Sequence, residues 1–325
     1  MHIVFVNYTY SGECRGPEDW MRKIAAHVPL LEALATEAKV SYVTRIGWEG
    51  AFESGNVQYY FTAKGKGGQY FPVAMHRQIR QLLPDKVIVA GLHYPFQVLQ
   101  LQRSLGKHCK VYARHHADKP FTGFRRWIQQ QADRIIDGYL FTSDGNAAEW
   151  LHAGIISAPR KVVELPATAP AFQRMSKAEA RRKTGISGQL VFIWAGRLEM
   201  NKDPLTVVQA FCAFARTHPE ASLYMIFQTN ELQDQIERIC EENPYARVVL
   251  KGKVPYEEMS AWFSAADLFV SGSHREGGSY ALLEAMACGC VPIVTEIAPA
   301  LKVISGKGFS YPAGDVNALH QCMLS

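Results

Sequence analysis

Ser271-Gly-Ser-His-Arg-Glu-Gly-Gly-Ser-Tyr-Ala-Leu-Leu-Glu-Ala-Met-Ala-Cys-Gly-Cys290 changes character half-way along. It opens small and polar, passes through Glu276, Gly277, Gly278 and Ser279, and then turns to helix formers from Tyr280 to Ala287. Gly289 suits a left-handed cap at the end of that helix. Asp267–Val270 before it and Val291–Thr295 after it both read as short buried strands. The unit is therefore strand, glycine-bearing loop, helix, strand. A helix that opens on Gly277-Gly278-Ser279 offers free backbone N–H groups and a positive dipole end, which together suit a phosphate. Glu276 and Glu284 are separated by eight positions, about 12 Å of helical rise, comparable to the span from a sugar to a ribose across a diphosphate.

The same alternation of strand and helix continues in both directions and predicts an α/β protein with parallel sheets. In the first half, strands are expected near His2–Val6, Val40–Thr44, Val57–Phe61, Lys86–Ala90, Lys110–Ala113 and Gly138–Thr142. Phe124, Trp127, Ile128, Ile135 and Ile136 recur at helical spacing over Phe124–Ile136, and the stripe reads as core packing. Leu165-Pro-Ala-Thr-Ala-Pro170 reads as a linker, which divides the chain into domains 1–170 and 171–325. Ser176-Lys-Ala-Glu179 is a capping box that starts the next helix. In the second half, strands are expected at Leu190–Ala195, Ser222–Phe227, Val248–Leu250, Leu268–Val270 and Val291–Thr295. Helices are expected from Pro204, near Glu231–Glu241, Tyr256–Ala265 and Tyr280–Cys288, and from Asp315, where a domain of this kind would be expected to continue beyond the last residue.

A net charge of +5 on 325 residues is too mild to indicate nucleic acid. The first 170 residues hold 20 basic against 14 acidic side chains, a bias that could face anionic lipid or an acidic acceptor. Seven cysteines with no C-x-x-C pair suggest reduced thiols in a cytoplasmic protein, and Cys288 with Cys290 reads as core rather than as a metal pair. The apolar runs are too short for a membrane span. No G-x-G-x-x-G follows the first strand, which argues against a nicotinamide-dependent dehydrogenase.

Gly196-Arg197-Leu198 closes a strand, and Asn201-Lys202-Asp203-Pro204 leads into a helix. Ligands of open α/β sheets bind beyond the carboxyl ends of strands, where Arg197 can grip two phosphate oxygens and Lys202 adds a compact charge. Gly196-Arg197-Leu198 with Lys202, then Glu276 and Glu284, resembles the retaining glycosyltransferases of family 4. So do Ala266–Val270, Glu284–Ala287, Gly289–Pro292 and Pro312–Asp315. The resemblance covers most of residues 190–315 and is weaker before 170.

That resemblance implies the GT-B fold, two Rossmann-like α/β/α domains facing across a cleft, with the nucleotide-sugar donor held by the C-terminal one and the acceptor by the N-terminal one. It implies that Glu276 bonds donor-sugar hydroxyls, that Glu284 accepts both ribose hydroxyls, and that Arg197 and Lys202 neutralise the diphosphate. His115 or His116 would reach the donor sugar. Gly277, Gly278, Ser279 and Tyr280 would line the donor, Gly12 would lie near its phosphates, and Val254 near its base. Fixed positive groups at a departing diphosphate stabilise the transition state above the ground state. Two cations and a helix N-terminus can take the place of a metal ion, and no Asp-x-Asp motif occurs. The expected activity is metal-independent transfer from an NDP-sugar, UDP-linked, to a glycan, lipid-linked or small-molecule acceptor. The alternatives are a nucleotide-sugar 2-epimerase and a non-catalytic nucleotide-sugar-binding protein. Peripheral attachment at the inner membrane face fits the basic first half. Residues 45–80, with Trp48, Phe52, Tyr59, Tyr60 and Tyr70, are expected to form the variable acceptor surface, by sugar stacking, lipid contact or plain packing.

Overall fold

The computed structural model describes residues 1–325 except 26, 64–67, 69, 107 and 166–171. Two compact units divide at Pro166/Ala167. The linker expected up to Pro170 falls, after Leu165, outside the described residues.

Unit 1 is built on eight strands: β1 (His2–Ser11), β2 (Lys39–Ile46), β3 (Gly50–Ser54), β4 (Val57–Thr62), β5 (Lys86–Ala90), β6 (Lys110–Arg114), β7 (Gly138–Phe141) and β8 (Val162–Glu164). They lie in the order β3-β4-β2-β1-β5-β6-β7-β8, parallel throughout except for the β3–β4 hairpin. Successive residues go to opposite faces. Val4, Val6 and Tyr8 enter one apolar cluster, and Ile3 and Phe5 enter the other. A parallel sheet buried on both sides requires this doubly apolar pattern.

Two expectations for this unit are corrected, and for the aromatics of residues 45–80 the packing alternative is the one found. β1 does not stop at Val6; a register shift between Asn7 and Tyr10 lets it run on to Ser11, because Tyr8 is fully buried and its hydroxyl meets His76 Nε2 at 2.9 Å. Trp48, Phe52 and Tyr59 pack into the second cluster and Tyr60 against the first, leaving Tyr70 as the exposed aromatic of that group. Finally, the expected core stripe holds at its end, where Ile136 is buried and Ile135 packs against the core, but the helix Gly123–Asp133 itself buries Gln129, Ala132 and Asp133, while Phe124 and Trp127 stand out in solvent, 72% and 53% exposed. Hydrogen bonds set that rotation. Gln129 donates to the Leu92 carbonyl at 3.1 Å and accepts from the Phe121 amide at 3.0 Å. Asp133 accepts from the Tyr139 hydroxyl at 3.1 Å and pairs with Lys161 at 3.2 Å. Buried polar groups need partners, and theirs lie only on that side.

Unit 2 holds six parallel strands: β9 (Leu190–Gly196), β10 (Ala221–Phe227), β11 (Arg247–Gly252), β12 (Leu268–Val270), β13 (Val291–Thr295) and β14 (Phe309–Tyr311). Their order is β11-β10-β9-β12-β13-β14. From β9 the chain steps outward to β10 and β11, then returns to lay β12, β13 and β14 on the other side. The helices that follow β9 and β12 therefore pack on opposite faces of the sheet and leave a crevice at the strand ends, the place where open α/β sheets take their ligands. Phe192 and Trp194 face one core and Val191 and Ile193 the other. The expected caps form: Ser176 Oγ accepts from the Glu179 amide at 3.3 Å, and Asp203 from Thr206 at 3.2 Å. Gly289 takes φ +94°, the left-handed cap.

Asp267 ties the unit's entry helix to its sheet. Its carboxylate accepts from the Val191 amide at 2.8 Å, from Arg181 at 3.1 Å and from Lys177, and its amide donates to the Val191 carbonyl at 2.8 Å. Charge-assisted bonds contribute about 1.5–3 kcal/mol each. Asp267→Ala is expected to destabilise unit 2 by about 2–3 kcal/mol, seen as a lowered urea midpoint with an unchanged slope.

Candidate functional site

Gly272 explains why the loops after β9 and β12 can meet. A Cβ there would stand 2.6 Å from the Asp203 carbonyl oxygen and 3.0 Å from that of Lys202. Around this contact the His274 amide donates to the Asn201 carbonyl at 2.8 Å, and Asn201 Nδ2 donates to the Arg275 carbonyl at 3.1 Å. His274 Nε2 lies 3.0 Å from Asp203 Oδ2. From behind, the Thr295 hydroxyl donates to the Ser273 carbonyl at 2.5 Å and the Tyr311 hydroxyl to that of Ser271 at 2.9 Å. Gly272 and these backing groups escaped the sequence reading; a glycine between two serines at a strand end was the signal.

The result brings Lys202 and Glu276 together. Lys202 Nζ lies 2.5 Å from Glu276 Oε1, which also accepts from the Ser273 hydroxyl at 2.7 Å. The aliphatic part of Lys202 runs over Gly196, where a Cβ would be 3.6 Å from its Cγ. Arg197 is 59% exposed and pairs with Glu199 at 2.9 Å. The Leu198 amide is held by the Thr229 hydroxyl at 2.9 Å and its carbonyl by the Leu232 amide at 3.1 Å. Gln228–Glu231 thus braces the β9 loop.

The helix Tyr280–Ala287 begins beside this pair in sequence. Ser279, its N-cap, sits at φ +46° in the left-handed region, an unusual place for a side-chain-bearing residue. Its hydroxyl caps nothing and is buried without a hydrogen-bond partner. Gly278 is buried, while Gly277 and Tyr280 are half-buried. Glu284 is 5% exposed, and its carboxylate accepts from the Tyr256 hydroxyl at 2.8 Å. Burial raises its pKa to about 7 against the opposing pull of that hydrogen bond. Val254 is buried among Leu282, Ala285 and Trp262, so its side chain is spent on packing.

The unit 1 residues lie at the carboxyl ends of β1 and β6. Gly12 is exposed in the turn after β1. His115 is buried, stacked on Phe141 at 4.8 Å and edge-on to Trp150, with Nε2 3.2 Å from the Asp118 carbonyl. His116 presents its ring to the surface, 6.4 Å from that of His27. The protein packed about the ring and then the Arg114 charge push its pKa down to about 3. Its exposure tempers the share of burial, but both causes act alike and leave the imidazole neutral at pH 7. Ala117 follows at φ +62°, strain on the order of 1–3 kcal/mol that surrounding bonds must hold. Asp118 holds it, accepting from the Leu92 amide at 2.7 Å and meeting His93 Nδ1 at 2.6 Å. Burial would raise the Asp118 carboxyl, but His93 and Leu92 overcome it and leave the pKa below its ordinary value.

Solved structures share this fold. HepE of Anabaena, in complex with UDP and glucose, superposes with a TM-score of 0.76 at 15% identity over 99% of this chain and 90% of that one. Sucrose-phosphate synthase of Thermosynechococcus elongatus does so with a TM-score of 0.73 at 16% identity, over 99% and 88%. The fold is GT-B. Residues 176–324, nearly all of unit 2, match the family described as "Glycosyl transferases group 1". Among curated proteins, D-inositol 3-phosphate glycosyltransferase of Pseudarthrobacter chlorophenolicus is 28% identical over 50% of this chain and 41% of its own length. Mannosylfructose-phosphate synthase of Agrobacterium fabrum is 31% identical over 35% and 27%. The chain thus spans less than half the length of these relatives.

The buried Glu284 has a pH signature. A carboxyl whose pKa rises from 4.5 to about 7 on folding holds its proton more tightly folded than unfolded. Its contribution to stability is full below about 4.5 and is lost as pH climbs through about 7. Glu284→Gln is expected to flatten the stability profile across this range and to exceed the wild type in stability at about pH 8, as measured by chemical denaturation at stepped pH.

Proposed function

We propose that the protein is a retaining glycosyltransferase that moves a sugar from an NDP-sugar, UDP-linked, to an acceptor. The observation that carries this reading is Lys202 held against Glu276 at the sheet's switch point, beside a helix start whose N-cap Ser279 side chain caps nothing. Negative charge builds on the diphosphate as its bond to the sugar breaks. Lys202, Arg197 and the first-turn amides at Gly278–Tyr280 stabilise that charge where it develops, and the step needs no metal ion. Glu276 accepts hydroxyls of the donor sugar, and Glu284 accepts the two ribose hydroxyls. In unit 1, Gly12 and the exposed His116, rather than the buried His115, are available to a ligand. Val254 contributes through its backbone.

Glu276→Gln and Arg197→Ala are each expected to lower transfer at least tenfold with the fold intact, the midpoint unchanged for the exposed Arg197 and somewhat lowered for Glu276→Gln, which leaves Lys202 without its counter-charge. The donor is identified by thermal shift with UDP-, GDP- and ADP-sugars, since bound ligand raises apparent stability by mass action. A UDP-sugar is expected to give the largest shift, and Glu284→Ala to abolish it. Wild-type turnover in both site variants would refute the assignment. Conversion of the donor to its epimer without acceptor would favour the epimerase instead.

The acceptor is placed with unit 1, and the protein at the cytoplasmic membrane face. No helix among the described residues is long and apolar enough to cross a membrane. Phe124 and Trp127 stack in solvent at 5.4 Å, between them Arg125 and Arg126, also exposed. An aromatic pair interleaved with arginines suits an anionic interface. Phe124→Ser with Trp127→Ser is expected to reduce co-sedimentation with phosphatidylglycerol vesicles at least fivefold. Equal pelleting with neutral vesicles would refute the attachment.

A further inference from the structure

Arg45, near the carboxyl end of β2, is 3% exposed. Its guanidinium lies over the Tyr10 ring at 5.9 Å, and its Nη1 has no hydrogen-bond partner. Among the described residues no carboxylate forms an ion pair with it. Arginine stays protonated in proteins, and an unpaired buried cation costs several kcal/mol, on the order of what a whole ion pair must recover. The buried Asp133 and Asp203 are paired with Lys161 and His274, and the half-buried Lys202 with Glu276. Arg45 is charged, buried and unmatched.

It also borders space. A cavity of about 380 Å³ is lined by Arg45, Thr62, Phe71, Ala74, Met75 and Arg77, among others. That volume falls within the roughly 300–1,000 Å³ of small-molecule sites. The cavity lies past the carboxyl ends of β2 and β4, where open α/β sheets place ligands. Ala74 and Met75 belong to the first turn of the nine-residue helix Val73–Gln81, which no side chain caps. Their amides have no intrahelical carbonyl, and the helix dipole adds positive potential. Thr62 donates to the Thr44 carbonyl at 3.3 Å, so its hydroxyl oxygen can still accept. Ala63, Phe71 and Pro72 supply an apolar wall.

We propose that this cavity binds the anionic group, phosphate or carboxylate, of a small sugar acceptor, with Arg45 as its buried counter-charge and Arg77 at its rim. That the anion belongs to the acceptor rests on the transferase reading; that an anion binds here does not. The planar guanidinium offers its donors as a fork matched to carboxylate and phosphate oxygens, and the apolar wall suits a sugar face.

The test is thermal unfolding of the intact protein at constant chloride ionic strength, titrated with glucose 6-phosphate, glucuronate and glucose. A saturable rise in midpoint with either anion and none with glucose is expected, the responding anion telling phosphate from carboxylate. Arg45→Met is expected to keep a midpoint at least equal to the wild type without ligand, since it removes an unmatched charge, and to lose the response. Arg77→Ala, at an exposed position, is expected to fold normally and to need at least fivefold more anion. UDP should still stabilise Arg45→Met, which separates this site from the one at Lys202. A response that persists in Arg45→Met, a lowered midpoint in that variant without ligand, or no anion effect beyond chloride would overturn the proposal.

Discussion

The close approach at Gly272 governs the geometry of unit 2. Two chain segments 70 positions apart in sequence, Lys202-Asp203 and the loop after β12, press their backbones together where any side chain would collide with a carbonyl oxygen at 2.6 Å. Only this contact sets the Lys202 ammonium against Glu276 and lets His274 reach Asp203. The sheet order supplies the crevice, because β9 and β12 are neighbours whose following helices pack on opposite faces. The two constraints are of different kinds, one steric and one topological. Together they bring a cation, a carboxylate and a helix start to one edge of the sheet.

Much of this was readable beforehand because parallel strands buried on both faces leave unbroken apolar runs. Lys86–Ala90, Leu268–Val270 and Val291–Thr295 match to the residue. Strands that resisted were those without such runs: Gly50–Ser54 is a hairpin partner at the sheet edge, Val162–Glu164 is a three-residue edge, and so is Phe309–Tyr311. Periodicity also misled in one place. The stripe from Phe124 to Ile136 looks like one core face, and its end does reach the core at Ile135 and Ile136, yet Gln129 and Asp133 hold buried hydrogen bonds that turn Phe124 and Trp127 outward. Hydropathy counts apolar atoms and is blind to a polar group with a waiting partner.

The candidate site divides along the same line. Lys202, Glu276, Glu284 and the helix start were legible because local rules, capping and strand-end placement, carry them. Pairing was not. Nothing in the sequence says that Glu276 answers Lys202, that Arg197 turns to Glu199, or that Tyr256 covers Glu284. Nor does it say that of two adjacent histidines one is buried under Phe141 and the other is exposed. Arg45 passed unnoticed for the same reason, since its significance lies in the partner it lacks.

The Lys202–Glu276 pair balances one charge with the other inside the crevice, with Ser273 sharing the same oxygen. On the proposed reading, an incoming diphosphate would not meet a bare cation; it would enter by exchange, taking the lysine from a carboxylate. The carboxylate released by that exchange would turn to sugar hydroxyls as new donors. Occupancy of the charged half of the crevice would then unlock the hydroxyl-reading half, and a bare sugar, unable to displace the lysine, would find the lock closed.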